Sequence, residues 1–280
     1  ALRRDPGDVR VNTALGINCL KRARFEEAEK LFRKALERLT AKHTAPKDGE
    51  PLYYLAVALK AQGHNDEAFD VFYKATWSAA WRAPAYYSLA EIACLRGDMA
   101  AALGLADRAL EANALNVRAL NLKAAVLRQL GRGNEALELL ASAFRKTDPL
   151  DARAMAERWL ASKSPEAGKA LFSTLNEHPA TAVETAAEYL NAGLYQDGAT
   201  VLSGAVDAAR DKSRISPMVY YYLAHFAGRL GQPQKAAEYY RLAASMPPDY
   251  VFPFEHEVSQ VLRQAMRANP SDARAPYYLG

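Results

Sequence analysis

The sequence predicts an all-α solenoid of antiparallel helix pairs, and three observations carry the prediction. Slid against itself, the chain repeats at an interval of 34 residues: Gly63, Gly97 and Gly131 recur, each followed five residues later by an alanine, Ala68, Ala102 and Ala136. The stretches LYYLAVALKAQGHNDEAFDVFYKA, AYYSLAEIACLRGDMAAALGLADRA and ALNLKAAVLRQLGRGNEALELLASA align without a gap. Each contains two amphipathic helical runs parted by a small-residue turn, the signature of a stacked helical repeat.

The remaining units follow in order. VNTALGINCLKRARFEEAEKLFRKA places Leu15, Gly16, Ala28, Phe32 and Ala35 on the same template. ETAAEYLNAGLYQDGATVLSGA fits around Gly193, with Gly198 where the alanine is expected, and YYYLAHFAGRLGQPQKAAEYYRLA supplies Leu223, Ala224, Gly231, Ala236, Tyr240 and Ala243. The motif W-x2-L-G-x2-Y followed by A-x3-F is carried by Leu55, Ala56, Ala68, Phe72 and Ala75, then by Leu89, Ala90, Ala102 and Ala109. On these residues nearly the whole chain resembles the tetratricopeptide repeat (TPR) family. The resemblance implies a TPR α-solenoid wound as a right-handed superhelix, with about fourteen to sixteen helices and no sheet.

Small residues at Ala56, Ala68, Ala90, Ala102 and Ala136 let the two helices of a unit approach closely, while Leu55, Phe72, Leu89 and Leu122 fill the space between neighbours. The pattern divides the chain into regular units over 1–150, a shortened, degenerate helical pair over 151–178, further units over 179–250, and an inserted helix with the start of a truncated repeat over 251–280. In the degenerate pair, Ser164 followed by Pro165 marks a helix start. TAKHTAPKDGEP reads as a turn-rich loop, and Tyr250 and Phe252 in PPDYVFP, with the Phe254 that follows, pin the helix Glu255 to Ala268 to the stack or form a binding loop. ALRRDP resembles the tail of a second helix and ARAPYYLG the beginning of a first. Both edges therefore read as falling inside repeats of a larger protein, leaving Tyr278 and Leu279 open to solvent or covered only by a crystal contact or a dimer partner.

Composition narrows the function. With 36 Lys plus Arg against 32 Asp plus Glu, distributed along the chain, no cationic block points to nucleic acid. No apolar run has the ~20 residues of a membrane span. Cys19 and Cys94 sit in apolar helical patterns and read as reduced packing residues; the sequence leaves the compartment unknown, a cytoplasmic setting being favoured over a secreted one. His43, His64, His178, His225 and His256 lack metal-ligand spacing, and no phosphate-binding glycine loop is present. The expectation is a non-catalytic chain without metal or cofactor.

Binding is the better prospect, and the TPR resemblance says where to look. In that family the first helix of each unit lines a concave groove. Its groove positions fall here on Thr13 and Ile17; Tyr53, Val57 and Lys60; Tyr87 and Glu91; Arg118, Asn121 and Arg128; and Tyr221 and His225. TPR clamps for a peptide's terminal carboxylate use Lys and Asn at such positions, a pattern matched only by Asn121. Tyr53, Tyr87 and Tyr221 suit peptide segments or sugar rings, as exposed anchors or as packing residues against the preceding unit. Trp77 reads as inter-repeat core, and Trp81 with Arg82 as the surface pair.

DGEPLYYLAVALKAQG, YKATWSAAWRAPAYYSLAE, NALNVRALNLKAAVLR and MPPDYVFPFEHE resemble segments of large bacterial proteins in which a β-sandwich-type domain of unknown function precedes a TPR array. That resemblance implies an association with carbohydrate metabolism. Two functions result: a scaffold for a protein or peptide ligand, including another domain of its own chain, or an accessory module that contacts glycan or a neighbouring catalytic domain.

Overall fold

A computed structural model describes residues 5–41, 48–144, 147–248, 251 and 257–280. The readings for ALRR, for residues 42–47 of TAKHTAPKDGEP and for Tyr250, Phe252 and Phe254 lie outside these residues, as do His43 and His256. Among the described residues there are sixteen α-helices and no strand. None of those helices is long and apolar enough to cross a membrane. The chain forms two compact units, Ala1–Lys123 and Ala124–Gly280.

The first unit contains α1 (Val9–Lys21), α2 (Phe25–Thr40), α3 (Glu50–Ala61), α4 (Asn65–Ala75), α5 (Arg82–Leu95) and α6 (Met99–Ala112), and α7 (Val117–Gln129) begins in it. The second continues with α8 (Gly133–Phe144), α9 (Ala152–Ser162), α10 (Pro165–Glu177), α11 (Pro179–Asn191) and α12 (Tyr195–Ala208). After a single 3-10 turn at Lys212–Arg214 come α13 (Pro217–Arg229), α14 (Pro233–Ser245), α15 (Glu257–Ala268) and α16 (Arg274–Leu279). Within each unit, consecutive helices pack as pairs and each pair leans on the next.

Local chemistry sets the helix boundaries. Asp8, Asp98, Asp151 and Ser164 each accept a backbone N–H three residues ahead, satisfying donors that a first turn leaves unpaired. Proline opens α10, α11, α13 and α14, where its missing N–H costs nothing.

The turn inside each pair shows the repeat in a form the sequence conceals. Gly63, Gly97, Gly131, Gly193 and Gly231 all adopt left-handed backbone, with φ between +69° and +84°. Ala23 (φ 52°) and Lys163 (φ 55°) adopt it too. Five residues after each stands a small residue: Ala28, Ala68, Ala102, Ala136, Gly168, Gly198 and Ala236. The degenerate pair α9–α10 is therefore in register with the others, its glycine turn replaced by Lys163 and its alanine by Gly168. At Gly168 the exchange has a cause, because a Cβ there would come within 2.9 Å of the Trp159 indole nitrogen.

What is shortened in the degenerate stretch is chiefly its exit. His178 alone ends α10 and begins α11, whereas eight residues, Ala209–Ser216, connect α12 to α13. In the first unit the core follows the small-and-large pattern. Ala28, Ala56, Ala68, Phe32, Phe72, Leu89 and Ile92 have no exposed surface, and the Phe32 ring lies so close to Gly16 that a Cβ would meet it at 2.5 Å. Both cysteines are buried free thiols.

Candidate functional site

The first unit brings several of the expected groove residues onto one face, formed by α3, α5 and the start of α7. The Tyr53 ring stacks on Trp81 with centroids 4.8 Å apart and meets Tyr54 and Phe72 edge-on. Burial pushes the Tyr53 phenol up to about 12, Glu91 adding to the shift while a hydrogen bond with Ser88 and the charge of Arg118 oppose it. One helical turn further along α3, the Lys60 ammonium donates to Glu91 Oε2 at 2.6 Å, with both side chains largely buried. Val57 is half-buried, Arg118 is exposed, and Tyr87 and Asn121 are buried, at 9% and 2% exposure. This face combines a half-buried aromatic platform, a shielded ion pair and the exposed side chain of Arg118.

Other expected positions are elsewhere. Thr13 is buried, its hydroxyl donating to the Val9 carbonyl, and Ile17 packs half-buried against the core of the first unit. Trp77, read as core, is instead 58% exposed, whereas Trp81, read as a surface residue, is half-buried with its ring against Tyr53 and Tyr54. The reason is the turn after α4, which begins at Thr76 and carries Trp77 past the end of the helix while returning Trp81 to the start of α5. Arg82 is exposed and its Nε donates to the Thr76 carbonyl at 3.1 Å, closing that turn.

Tyr221 and His225 line no open groove. Every residue of α13 from Pro217 to Ala227 is buried, because α11, α12, α14 and α15 all pack on it. The Tyr221 hydroxyl donates to Asp272 Oδ2 at 2.7 Å, while Asp272 Oδ1 accepts the backbone N–H groups of Arg274 and Ala275 at the start of α16. Tyr278, expected to be open, is buried and lies edge-on against Tyr221. His225 is 1% exposed with neither ring nitrogen hydrogen-bonded. Burial, reinforced by the charge of Arg229, lowers its pKa to about 4, so the ring is neutral.

Arg128 belongs to a buried ionic network that the groove reading missed. Its guanidinium donates to Glu157 Oε2 at 2.9 Å and grips both carboxylate oxygens of Asp197, at 2.6 and 3.3 Å; Gln129 also donates to Asp197. Glu157 Oε1 accepts from Arg153, one turn before it on α9, and from the Tyr189 hydroxyl at 2.9 Å. Arg153 lies over the Tyr189 ring, 3.6 Å from its centroid, and 3.6 Å from a Glu188 oxygen. Burial works to raise the Glu157 pKa, yet the guanidinium groups of Arg153 and Arg128 hold it below the ordinary carboxylate range. The signal was present in DARAMAERW, where Arg153 and Glu157 share one helix face four residues apart. Nothing local told that this face would be buried.

The repeat geometry agrees with known proteins. A tetratricopeptide repeat family model matches residues 13–84 and a second matches residues 219–250. The fold is similar to the crystal structure of a tetratricopeptide repeat protein from Parabacteroides merdae, with a TM-score of 0.52 and 14% identity over 94% of this chain and 99% of that one. It is also similar to the crystal structure of yeast Tom70, with a TM-score of 0.52 and 16% identity over 96% of this chain and 56% of that one. The chain is thus an α-solenoid of helix pairs. Over residues 13–84 and 219–250 its helix pairs match tetratricopeptide repeat models.

Proposed function

We propose that the chain is a non-catalytic scaffold that binds a peptide segment or a partner protein, a domain of its own chain included, on the α3–α5–α7 face of its first unit. The observation that supports this reading is the juxtaposition on that face of the Tyr53–Trp81 stack with the exposed Arg118 guanidinium. A rigid aromatic surface beside a cation is the composition of residues that dominate binding energy at protein interfaces. The neighbouring Lys60–Glu91 pair is already neutralised, so it sets the shape of the face. Nucleic acid and membrane have no part in this reading.

Peptide-array binding by the full chain, repeated with Arg118→Glu, tests it. Arg118 is exposed, so its reversal should leave the thermal melt unchanged while weakening captured peptides by ~1 to 3 kcal/mol, the range for an interface arginine. Peptides that bind the variant as well as the parent would refute the site. Capture of oligosaccharides in place of peptides, lost on replacing Tyr53 with Phe, would favour the carbohydrate-module reading.

A further inference from the structure

The second unit contains a cleft of about 560 Å³ that shares no residue with the α3–α5–α7 face. Its origin is the mismatch of connections described above. The single-residue link at His178 brings α10 directly against α11, while the long Ala209–Ser216 connection swings wide before α13 begins, and the space between them is left open. Packing keeps it open: the Asn176 amide donates to the Ala205 carbonyl at 3.1 Å, and Phe172 lies where a Cβ on Gly204 would approach it to 2.4 Å.

The lining is apolar below and cationic at the rim. Phe172, Leu175, Ala182, Ile215 and Val219 provide the apolar surface. Lys169 on α10 and Arg210 and Arg214 on the long connection are exposed at the edge, and none of the three belongs to an ion pair among the described residues. Two carboxylates stand at the same rim, Asp211 accepting from the Ser213 amide and hydroxyl and drawn to the charge of Arg214, and Glu177 accepting from the Ser173 hydroxyl. Three cations against two carboxylates leave the rim with a positive balance, carried chiefly by Lys169 and Arg210.

We infer that this cleft is a second binding site, for an acidic peptide segment of a protein partner that seats an apolar side chain on the Phe172–Ile215–Val219 floor and pairs its carboxylates with Lys169, Arg210 and Arg214. Cations carried on two separate elements around an apolar floor complement a chain that alternates carboxylates with apolar side chains. Exposed rim charges act mainly on encounter and register, and the floor supplies the desolvated contact.

The test uses fluorescein-labelled peptides alternating Asp or Glu with Leu or Phe, and counterparts with Lys for each acid, titrated against the full chain by fluorescence anisotropy. The acidic peptides should bind and the basic ones should not. K169E/R210E/R214E should weaken binding roughly tenfold, as expected for three exposed ion pairs of a fraction of a kcal/mol each. Ser173→Trp, which fills the cleft from an exposed helical position, should abolish it. Far-UV circular dichroism checks that both variants fold, and Arg214→Glu alone should give a smaller loss if the triple variant does not. Arg118→Glu should have no effect, which separates this site from the face on the first unit. Undiminished binding by the charge-reversed or Ser173→Trp chain would overturn the inference. So would failure of the acidic peptides to bind, or binding of phosphatidylserine vesicles in their place.

Discussion

The two units use one helix-pair plan and bury different chemistry inside it. In the first, a small residue meets a large apolar ring between helices, Gly16 of α1 on Phe32 of α2, and the shielded ion pair Lys60–Glu91 joins α3 to α5. In the second, where the 34-residue spacing breaks down, four helices meet around Arg128, Arg153, Glu157 and Asp197. Apolar surface is non-directional and tolerates many registers, whereas a forked guanidinium held by two carboxylates accepts very few. An irregular stack has lost the repetition that sets the register in the first unit, and the buried network specifies it instead.

Breaking the network is the largest expected effect. Glu157→Ala would leave Arg153 and Arg128 without their shared carboxylate in a buried site, and it should destabilise the second unit by ~3 to 5 kcal/mol. Chemical denaturation followed by the two units' tryptophans checks this, since Trp159 reports on the second unit and Trp77 and Trp81 on the first. A loss below about 1 kcal/mol would mean that the charges are reached by water and that apolar packing alone holds the helices.

Acid should act next, through His225. Its folded pKa is depressed to about 4, against an unfolded value near 6.5. Between those values the unfolded chain binds a proton that the folded chain refuses, so stability falls as pH drops through this window and is unaffected by this group above about 7. The parent should lose about 2 kcal/mol from this source by pH 5, and His225→Phe should lose none of it. Identical pH profiles for the two proteins would show that the ring is protonated in place.

The smallest effect compares equivalent turns. Gly97→Ala introduces a Cβ into left-handed backbone and should cost about 1 kcal/mol, while Ala23→Gly relieves the same strain and should add somewhat less, because glycine also loosens the unfolded chain. Melting temperatures of the two variants should shift in opposite directions. Shifts of the same sign would mean that the turn at Ala23 is held by its surroundings and not by its own φ.

Much of the fold could be read directly from the residues, because the repeat is local chemistry. A glycine turn with an alanine five residues later brings two helices together wherever it occurs, so pairing, helix type and the apolar core positions followed from Gly63, Gly97 and Gly131 onward. The degenerate pair escaped because Lys163 and Gly168 do the same work with different side chains, and a left-handed lysine looks like nothing in a sequence.

The candidate sites were less legible. A groove position is buried or open according to what lies across from it, and that element is distant in the chain. Tyr53 and Tyr221 occupy equivalent places on first helices, yet Tyr53 keeps some exposed surface beside Trp81 while Tyr221 is covered by α15 and α16 and bonded to Asp272, fifty-one residues away. Arg128 looked like a groove cation until α9 and α12 closed around it. Sequence by itself determined the unit of construction, since helix periodicity and turn chemistry act over a few residues; tertiary structure decided which charges and rings remain available to a partner, since exposure depends on neighbours that only folding brings together.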